Sequence, residues 1–325
     1  RLSGRILDPS GERLLEDFSG QLLVTLTDAP VQLSIREGSI TTYRFTRVGP
    51  VLHQGTYAVS NGRWNAAFRM PLDADFSGER GRFYLCAFAD DGRSAAGSHP
   101  GLSIQGIAPD STLDTLGPTI RLYLDHPHFR PGDIVRSTPV LFVELEDASG
   151  INTAAGVGHR ILAWIDDDPK PIDLTPLYQP LLQDPRKGIA MKPLAGLSPG
   201  LHRVRVRAWD IYNNFSEAQT TFRIAESTVL FDAQVFPNPA TEFPLRIRLR
   251  SSASAPEPAH LQIADLWGRV VYDQQFQLLP TWQLELAWDG RTAEGAPVAP
   301  GVYVYTVRLL SEPSRSVRGT FVIVR

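Results

Sequence analysis

Apolar positions along this chain recur at every second place, in short runs separated by Gly, Pro, Asn and Asp. That is the period of half-buried strands, whose successive side chains point to opposite faces. Trp282, Leu284, Leu286 and Trp288 share one face of a predicted strand that ends at Trp288-Asp289-Gly290. The polar run to Glu294 and Gly295 reads as a turn, and Pro300-Gly301 as a second. From Val302 the alternation restarts, with Val302, Val304, Thr306 and Arg308 opposing Tyr303, Tyr305, Val307 and Leu309. Nowhere does an apolar period of about 3.6 persist, so helix is expected to be scarce, with residues 173–179 read as a short helical turn or an irregular edge.

The same grammar runs through the whole chain. Residues 1–114 read as a first β-domain, in which Leu22, Val24 and Leu26 alternate with Gln21, Thr25 and Thr27. Its strongest hairpin signal is Ser60-Asn61-Gly62-Arg63, because Asn-Gly supplies the positive φ angles of a tight hairpin turn. Residues 110–118, polar and closed by Gly117-Pro118, read as a linker. A second domain spans 115–225, where Val204, Val206 and Ala208 face inward and Arg203, Arg205 and Arg207 outward. Residues 226–325 form the third, and Phe236-Pro237-Asn238-Pro239 near its start excludes a central strand there. The predicted architecture is all-β, with three consecutive Ig-like β-sandwiches of about a hundred residues.

Composition adds exclusions. The 325 residues contain 26 Gly and 26 Pro but one Cys and two Met, and the formal charge is -3. Basic residues do not cluster, so no nucleic-acid partner is expected. No apolar run reaches the roughly 18 residues of a membrane-spanning helix. Residues 1–4 do not read as a signal peptide, and the chain starts in strand-like sequence, as a fragment of something longer does. The single cysteine, Cys86, lies in a strand with Tyr84 and Phe88 on its face, and is expected to be a buried small hydrophobe rather than a thiolate nucleophile. No phosphate loop, metalloprotease histidine pair or nucleophile elbow is found. No catalytic residue and no cofactor are therefore predicted.

Residues 147–152, with 156–159 beyond, are the densest polar and glycine segment. Asp147, Ser149 and Asn152 offer oxygen ligands suited to Ca²⁺. The competing reading is a set of side-chain-capped turns, favoured because no bidentate acid closes the loop. His159 reads as a buried hydrogen-bonding group. The run Asp166-Asp167-Asp168 reads as a solvated turn, with a hard-cation site as the minority reading, and His126-Pro127-His128 lacks a third zinc ligand. Five of the six Trp lie in strand patterns that suit cores, whereas Trp267 lies at a turn.

Several segments together carry a resemblance. Phe236-Pro237-Asn238-Pro239-Ala240-Thr241, residues 261–269, Trp288-Asp289-Gly290 and Pro300-Gly301-Val302-Tyr303 resemble the C-terminal sorting modules of proteins exported by the bacterial type IX secretion system, which share much with FlgD-like Ig modules. Residues 114–118, 129–133, 147–152, 156–159, 197–202 and 208–214 are similar to the region that follows the peptidase domain in PorU-type sortases, which are gingipain-type cysteine peptidases. Phe18-Ser19-Gly20, residues 68–71 and Gly97 fit the same region. The likeness implies a non-catalytic scaffold and docking region, exported to the cell-surface side of the outer membrane. It implies as partners a PorV-type outer-membrane β-barrel, other attachment-complex proteins and an upstream peptidase domain. It also implies a parent enzyme that cleaves sorting signals and attaches cargo to lipopolysaccharide. Cys86 does not match the family's nucleophile context. Tyr303, Val304 and Tyr305 are the docking candidates. The alternative is a surface adhesin or carbohydrate-binding region of an exported hydrolase, which requires coplanar exposed rings.

Overall fold

The computed structural model describes residues 1–37, 40–75, 78, 80–103, 114–154, 158–182 and 184–324. Residues 110–113 of the expected linker, and Gly156 and Val157, lie outside the described residues. The chain divides into two compact units, Arg1–Tyr123 with Leu141–Lys192 and Arg203–Thr220, and Leu124–Val140 with Pro193–His202 and Thr221–Arg325. The architecture is all-β sandwich, and the one described helical element is the 3-10 turn Thr175–Leu177.

Eight strands open the chain: β1 (Leu2–Arg5), β2 (Gly20–Thr27), β3 (Val31–Glu37), β4 (Ile40–Arg47), β5 (Val51–Ser60), β6 (Arg63–Ala66), β7 (Arg80–Ala89) and β8 (Ser94–Ser103). Six of them form a sheet in the order β1-β6-β5-β2-β7-β8, while β3 and β4 form a separate two-stranded sheet. Alternation decides which face is core: Leu22, Val24 and Leu26 of β2 are all at most 4% exposed. Asn61 (φ 50) and Gly62 (φ 68) make the β5–β6 hairpin turn as the dipeptide predicts. Burial of each aliphatic or aromatic core side chain contributes about 1.5–3 kcal/mol.

Nine strands follow: β9 (Thr119–Leu124), β10 (Ile134–Val135), β11 (Val140–Glu146), β12 (Leu162–Ile165), β13 (Ile172–Asp173), β14 (Tyr178–Leu181), β15 (Asp184–Pro193), β16 (Gly200–Trp209) and β17 (Phe215–Ile224). They build the sheets β14-β15-β11-β9 and β10-β17-β16-β12-β13. Val204, Val206 and Ala208 are fully buried, and Arg205 and Arg207 stack over the Trp164 ring, with guanidinium carbons 4.4 and 5.6 Å from its centroid.

The last seven are β18 (Leu230–Phe236), β19 (Leu245–Ser251), β20 (Glu257–Asp265), β21 (Val270–Leu278), β22 (Gln283–Trp288), β23 (Gly301–Leu309) and β24 (Ser316–Ile323). Their sheets run β18-β19-β22 and β21-β20-β23-β24. Strand β18 is an edge and ends at Phe236, where the following prolines remove ladder donors. Leu245, Ile247 and Leu249 oppose Trp288, Leu286 and Leu284, and this row closes on Leu261, Ile263, Val307, Phe321 and Ile323 of the same core. Within this second unit His126 stacks on Trp282 at 4.1 Å, and Arg136 Nη1 donates to the Pro280 carbonyl at 3.3 Å.

Candidate functional site

Asp147 ends up at the turn after β11, buried. Its Oδ1 accepts the Ser149 backbone N–H (2.7 Å), the Ser149 hydroxyl (2.5 Å) and the Gly150 N–H (3.2 Å). This is the side-chain-capped turn that Asp and Ser before Gly favour. Asn152, fully buried, belongs to a different group. Its Oδ1 accepts the Ala154 N–H at 2.9 Å, and its Nδ2 donates to Asp73 Oδ2 and Asn213 Oδ1 at 3.0 and 3.1 Å. Of the candidates Asp147, Ser149 and Asn152, Asn152 thus has its amide oxygen on the Ala154 N–H and its amide nitrogen on Asp73 and Asn213.

The structure instead brings Asp147 to Asp114 and Asp210, with one carboxylate oxygen from each within 4.8 Å of the others. Asp210 is fully buried at the end of β16. Its Oδ1 accepts the Tyr212 and Asn214 N–H groups at 3.0 and 2.7 Å, and its Oδ2 accepts Asn214 Nδ2 at 2.8 Å. Burial raises the Asp210 pKa, and the charge of Asp147 adds to that effect, while the Asn214 and Tyr212 bonds oppose it. Asp114 Oδ1 accepts the Leu116 N–H, and the Asp114 carbonyl accepts Asn214 Nδ2. Among the described residues no Lys or Arg ion-pairs with these three carboxylates. Three hard oxygen donors so arranged could hold a divalent cation. Asp114 and Asp210 carry no local signal for this, since they reach Asp147 only through the fold.

The neighbouring polar group centres on Asp73. His159 Nδ1 meets its carboxylate at 2.7 Å and Asn213 Nδ2 donates to it at 2.9 Å. The His159 ring lies against Trp209 at 4.5 Å. His159 is thus a half-buried hydrogen-bonding residue and not an isolated ligand. Asp166, at φ 52, and Asp167 make a turn in which Asp166 Oδ1 accepts the Arg203 N–H and Asp167 pairs with Arg203. His126 is spent on stacking with Trp282, and burial lowers its pKa.

Cys86 differs from its expectation. On β7 the core side chains are Phe83 and Ala87, whereas Tyr84 and Phe88 are exposed, so Cys86 sits half-buried on the outer face. Both faces of this strand are apolar in sequence, which makes the alternation ambiguous.

The docking candidates also need correction. Tyr303 and Tyr305 are each 5% exposed, because β23 is an inner strand and this row points into the core. The Tyr303 hydroxyl donates to the Ala299 carbonyl at 2.7 Å, and the Tyr305 hydroxyl donates to the Ala233 carbonyl. Val304 alone of the three lies on the outer face.

No protein-family model matches the chain, and no curated protein matches it either. Among solved structures, dimeric latent PorU from Porphyromonas gingivalis is 25% identical, with 99% of this chain and 31% of that chain covered and a TM-score of 0.40. A Bacteroides ovatus protein from a mixed-linkage glucan utilization locus, SGBP-B, solved with a heptasaccharide, is 10% identical over 100% of this chain and 70% of that one, TM-score 0.33. PorZ, a surface component of the type IX secretion system of P. gingivalis, is 12% identical over 92% and 56%, TM-score 0.23. The chain spans less than a third of the length of the PorU neighbour.

Proposed function

We propose that this chain is the non-catalytic scaffold and docking region of a PorU-like sortase of the type IX secretion system. In this reading it is organised as three sandwiches over 1–114, 115–225 and 226–325 and lies on the cell-surface side of the outer membrane. The parent protein would carry the cysteine peptidase upstream, cleave sorting signals and pass cargo to lipopolysaccharide, while this region holds it to a PorV-type barrel.

One observation carries the reading. The segments that resemble a type IX sorting module converge on a single closed sandwich and act as its internal fixings. Asn238 Oδ1 accepts the Val322 N–H at 3.0 Å, and Asp265 Oδ1 accepts the Trp267 and Arg269 N–H groups at 3.0 and 2.9 Å. Trp288 is 1% exposed and donates from Nε1 to the Arg291 carbonyl at 3.0 Å. Gly290, at φ 75, lies where a Cβ would come within 2.2 Å of the Phe243 ring. Motif residues from Asn238 to Gly290 thus serve one small fold, which supports a common origin for the pattern.

Binding of the purified chain to a PorV-type barrel held in neutral-lipid nanodiscs tests the proposal. Saturable binding is expected. Absence of binding by both the chain and its full-length parent would sink it. Glycan-array binding at useful affinity would favour the adhesin or carbohydrate-binding alternative instead.

A further inference from the structure

The outer face of the sheet β21-β20-β23-β24 is divided in two. Register places Ala264 of β20 opposite Val304 of β23 and Val270 of β21, and Val302 opposite Val322 of β24. These five residues share the outer face at the Asp265 end, because the alternate row of Ile263, Tyr303 and Tyr305 fills the core. Toward the other end the same face turns polar, through Gln262, Asp273 and Thr306. Exposure rises from the sheet to the adjoining β20–β21 turn: Val302 is 36% exposed, Val270 44%, Leu266 64% and Trp267 90%. An exposed apolar turn continuous with an apolar sheet face is the outcome.

The tip is held in one pose. Asp265 Oδ1 accepts the Trp267 and Arg269 N–H groups, its Oδ2 accepts Arg269 Nε at 3.1 Å, and the Gly268 N–H closes onto the Asp265 carbonyl at 3.0 Å. Gly268 takes φ 83, the conformation such a turn needs. The backbone of the turn is thus ordered before binding, and Trp is among the residue types most enriched at interface hot spots.

Charge decides what covers it. Residues 226–325 contain ten Asp and Glu against nine Arg and no Lys. A lipid surface of anionic headgroups is held by clustered cations, each contributing on the order of 1 kcal/mol, whereas the arginine row of this module, Arg246, Arg248 and Arg250, lies on β19 of the other sheet and is ion-paired with Glu285 and Asp232. Both signs occur on this outer face beyond the patch, with Asp273 opposite Gln262 and Arg318 opposite Thr306, and Arg269 lies at the turn. A mixed-sign rim around an apolar centre is the make-up of a protein–protein contact.

We propose that the Leu266–Trp267 turn and the valine face beside it form the docking surface for a folded protein that presents a concave apolar pocket with a mixed-charge rim, Trp267 entering the pocket. This rests on the docking role proposed above and locates it. The test is affinity of the full chain for a PorV-type barrel in phosphatidylcholine nanodiscs, compared among wild type, Trp267→Ser and Val304→Thr, with empty nanodiscs and phosphatidylglycerol-containing vesicles as separate probes. Trp267→Ser is expected to weaken binding about thirtyfold or more, and Val304→Thr to weaken it by a smaller factor. Far-ultraviolet circular dichroism of both variants should match wild type, since Trp267 is almost fully solvated and Val304 lies on the outer face outside the core. Wild-type binding that Trp267→Ser leaves intact overturns this surface and spares the docking role. Failure of the wild type to bind overturns both. Equal binding to lipid without the barrel overturns the protein partner in favour of a bilayer.

Discussion

Trp288→Ala tests whether the Trp-Asp-Gly segment is a structural fixing, as its surroundings indicate. The indole is the largest fully buried side chain of its module. It meets Phe243 and Phe321 edge-on, with ring centroids 6.2 and 6.1 Å away, and Tyr272 at 5.5 Å. Truncating a buried Trp costs about 3–5 kcal/mol, and the lost edge contacts push this site to the upper end of that range. Trp288→Phe keeps most of the apolar volume but leaves the Arg291 carbonyl without its donor at 3.0 Å, so it should cost about 1–2 kcal/mol. With a urea dependence of about 2 kcal/mol per molar, the midpoint should fall by about 2 M for Ala and less than 1 M for Phe. Urea titration followed by near-ultraviolet circular dichroism measures both, because the buried aromatic cluster supplies that signal. An unchanged midpoint for Trp288→Ala refutes the reasoning, as does a Phe variant that loses as much as Ala.

Three further outcomes are expected. His53, stacked 3.7 Å from Phe68 and bonded to Tyr57, is pushed down to about 3 by burial, so it stays neutral in the fold while the unfolded chain protonates below about 6.5; stability is full above that pH, is lost as pH falls toward 3 by at most about 1.4 kcal/mol per unit, and His53→Phe should flatten this slope in urea titrations at pH 7 and 4.5. Asp73→Ala strands the Asn152, Asn213 and His159 donors and should cost about 2–4 kcal/mol, read as a lower thermal midpoint, with a shift under 1 kcal/mol contradicting the network. Asp210 has a raised pKa, so its contribution is complete only at acid pH and declines as pH rises through its folded value; in chelator-treated protein Asp210→Asn should raise the thermal midpoint at pH 7 but not at pH 3, and an equal fall at both would show that its hydrogen bonds outweigh its charge.

Strand placement was legible because alternation is a local property. Leu22, Val24 and Leu26, the Val204 row and the Asn61-Gly62 turn are all where period and turn chemistry put them. The inward aim of Tyr303 and Tyr305 was legible as well, for the opposite row contains Thr306 and Arg308 and cannot be core. A docking role for this stretch follows only if its strand is a sheet edge, and alternation does not say whether a strand is an edge; β23 lies between β20 and β24. Cys86 was not legible, because Phe83, Leu85 and Ala87 compete with Tyr84 and Phe88 for the same core. The carboxylate cluster was legible only at Asp147. Asp114 and Asp210 join it through the course of the whole chain, while the Asn152 amide oxygen accepts the Ala154 N–H and its nitrogen donates to Asp73 and Asn213.

The residues that make the C-terminal module recognisable are the wrong ones for locating its surface. Asn238, Asp265, Trp288 and Gly290 each fix backbone or fill the core, so a substitution at any of them reports on folding whatever the module binds. A loss of docking after such a change would follow equally from a sorting module, an adhesin or a plain structural domain. Trp267 is different in kind. It sits inside the same motif, yet its ring contributes almost nothing to the core, so folding stability places no demand for an indole there. An exposed Trp on a turn that a buried acid holds is free of the core and available for the docking contact proposed above. The proposed surface is therefore to be tested at exposed motif positions such as Trp267, where folding and binding can be varied separately.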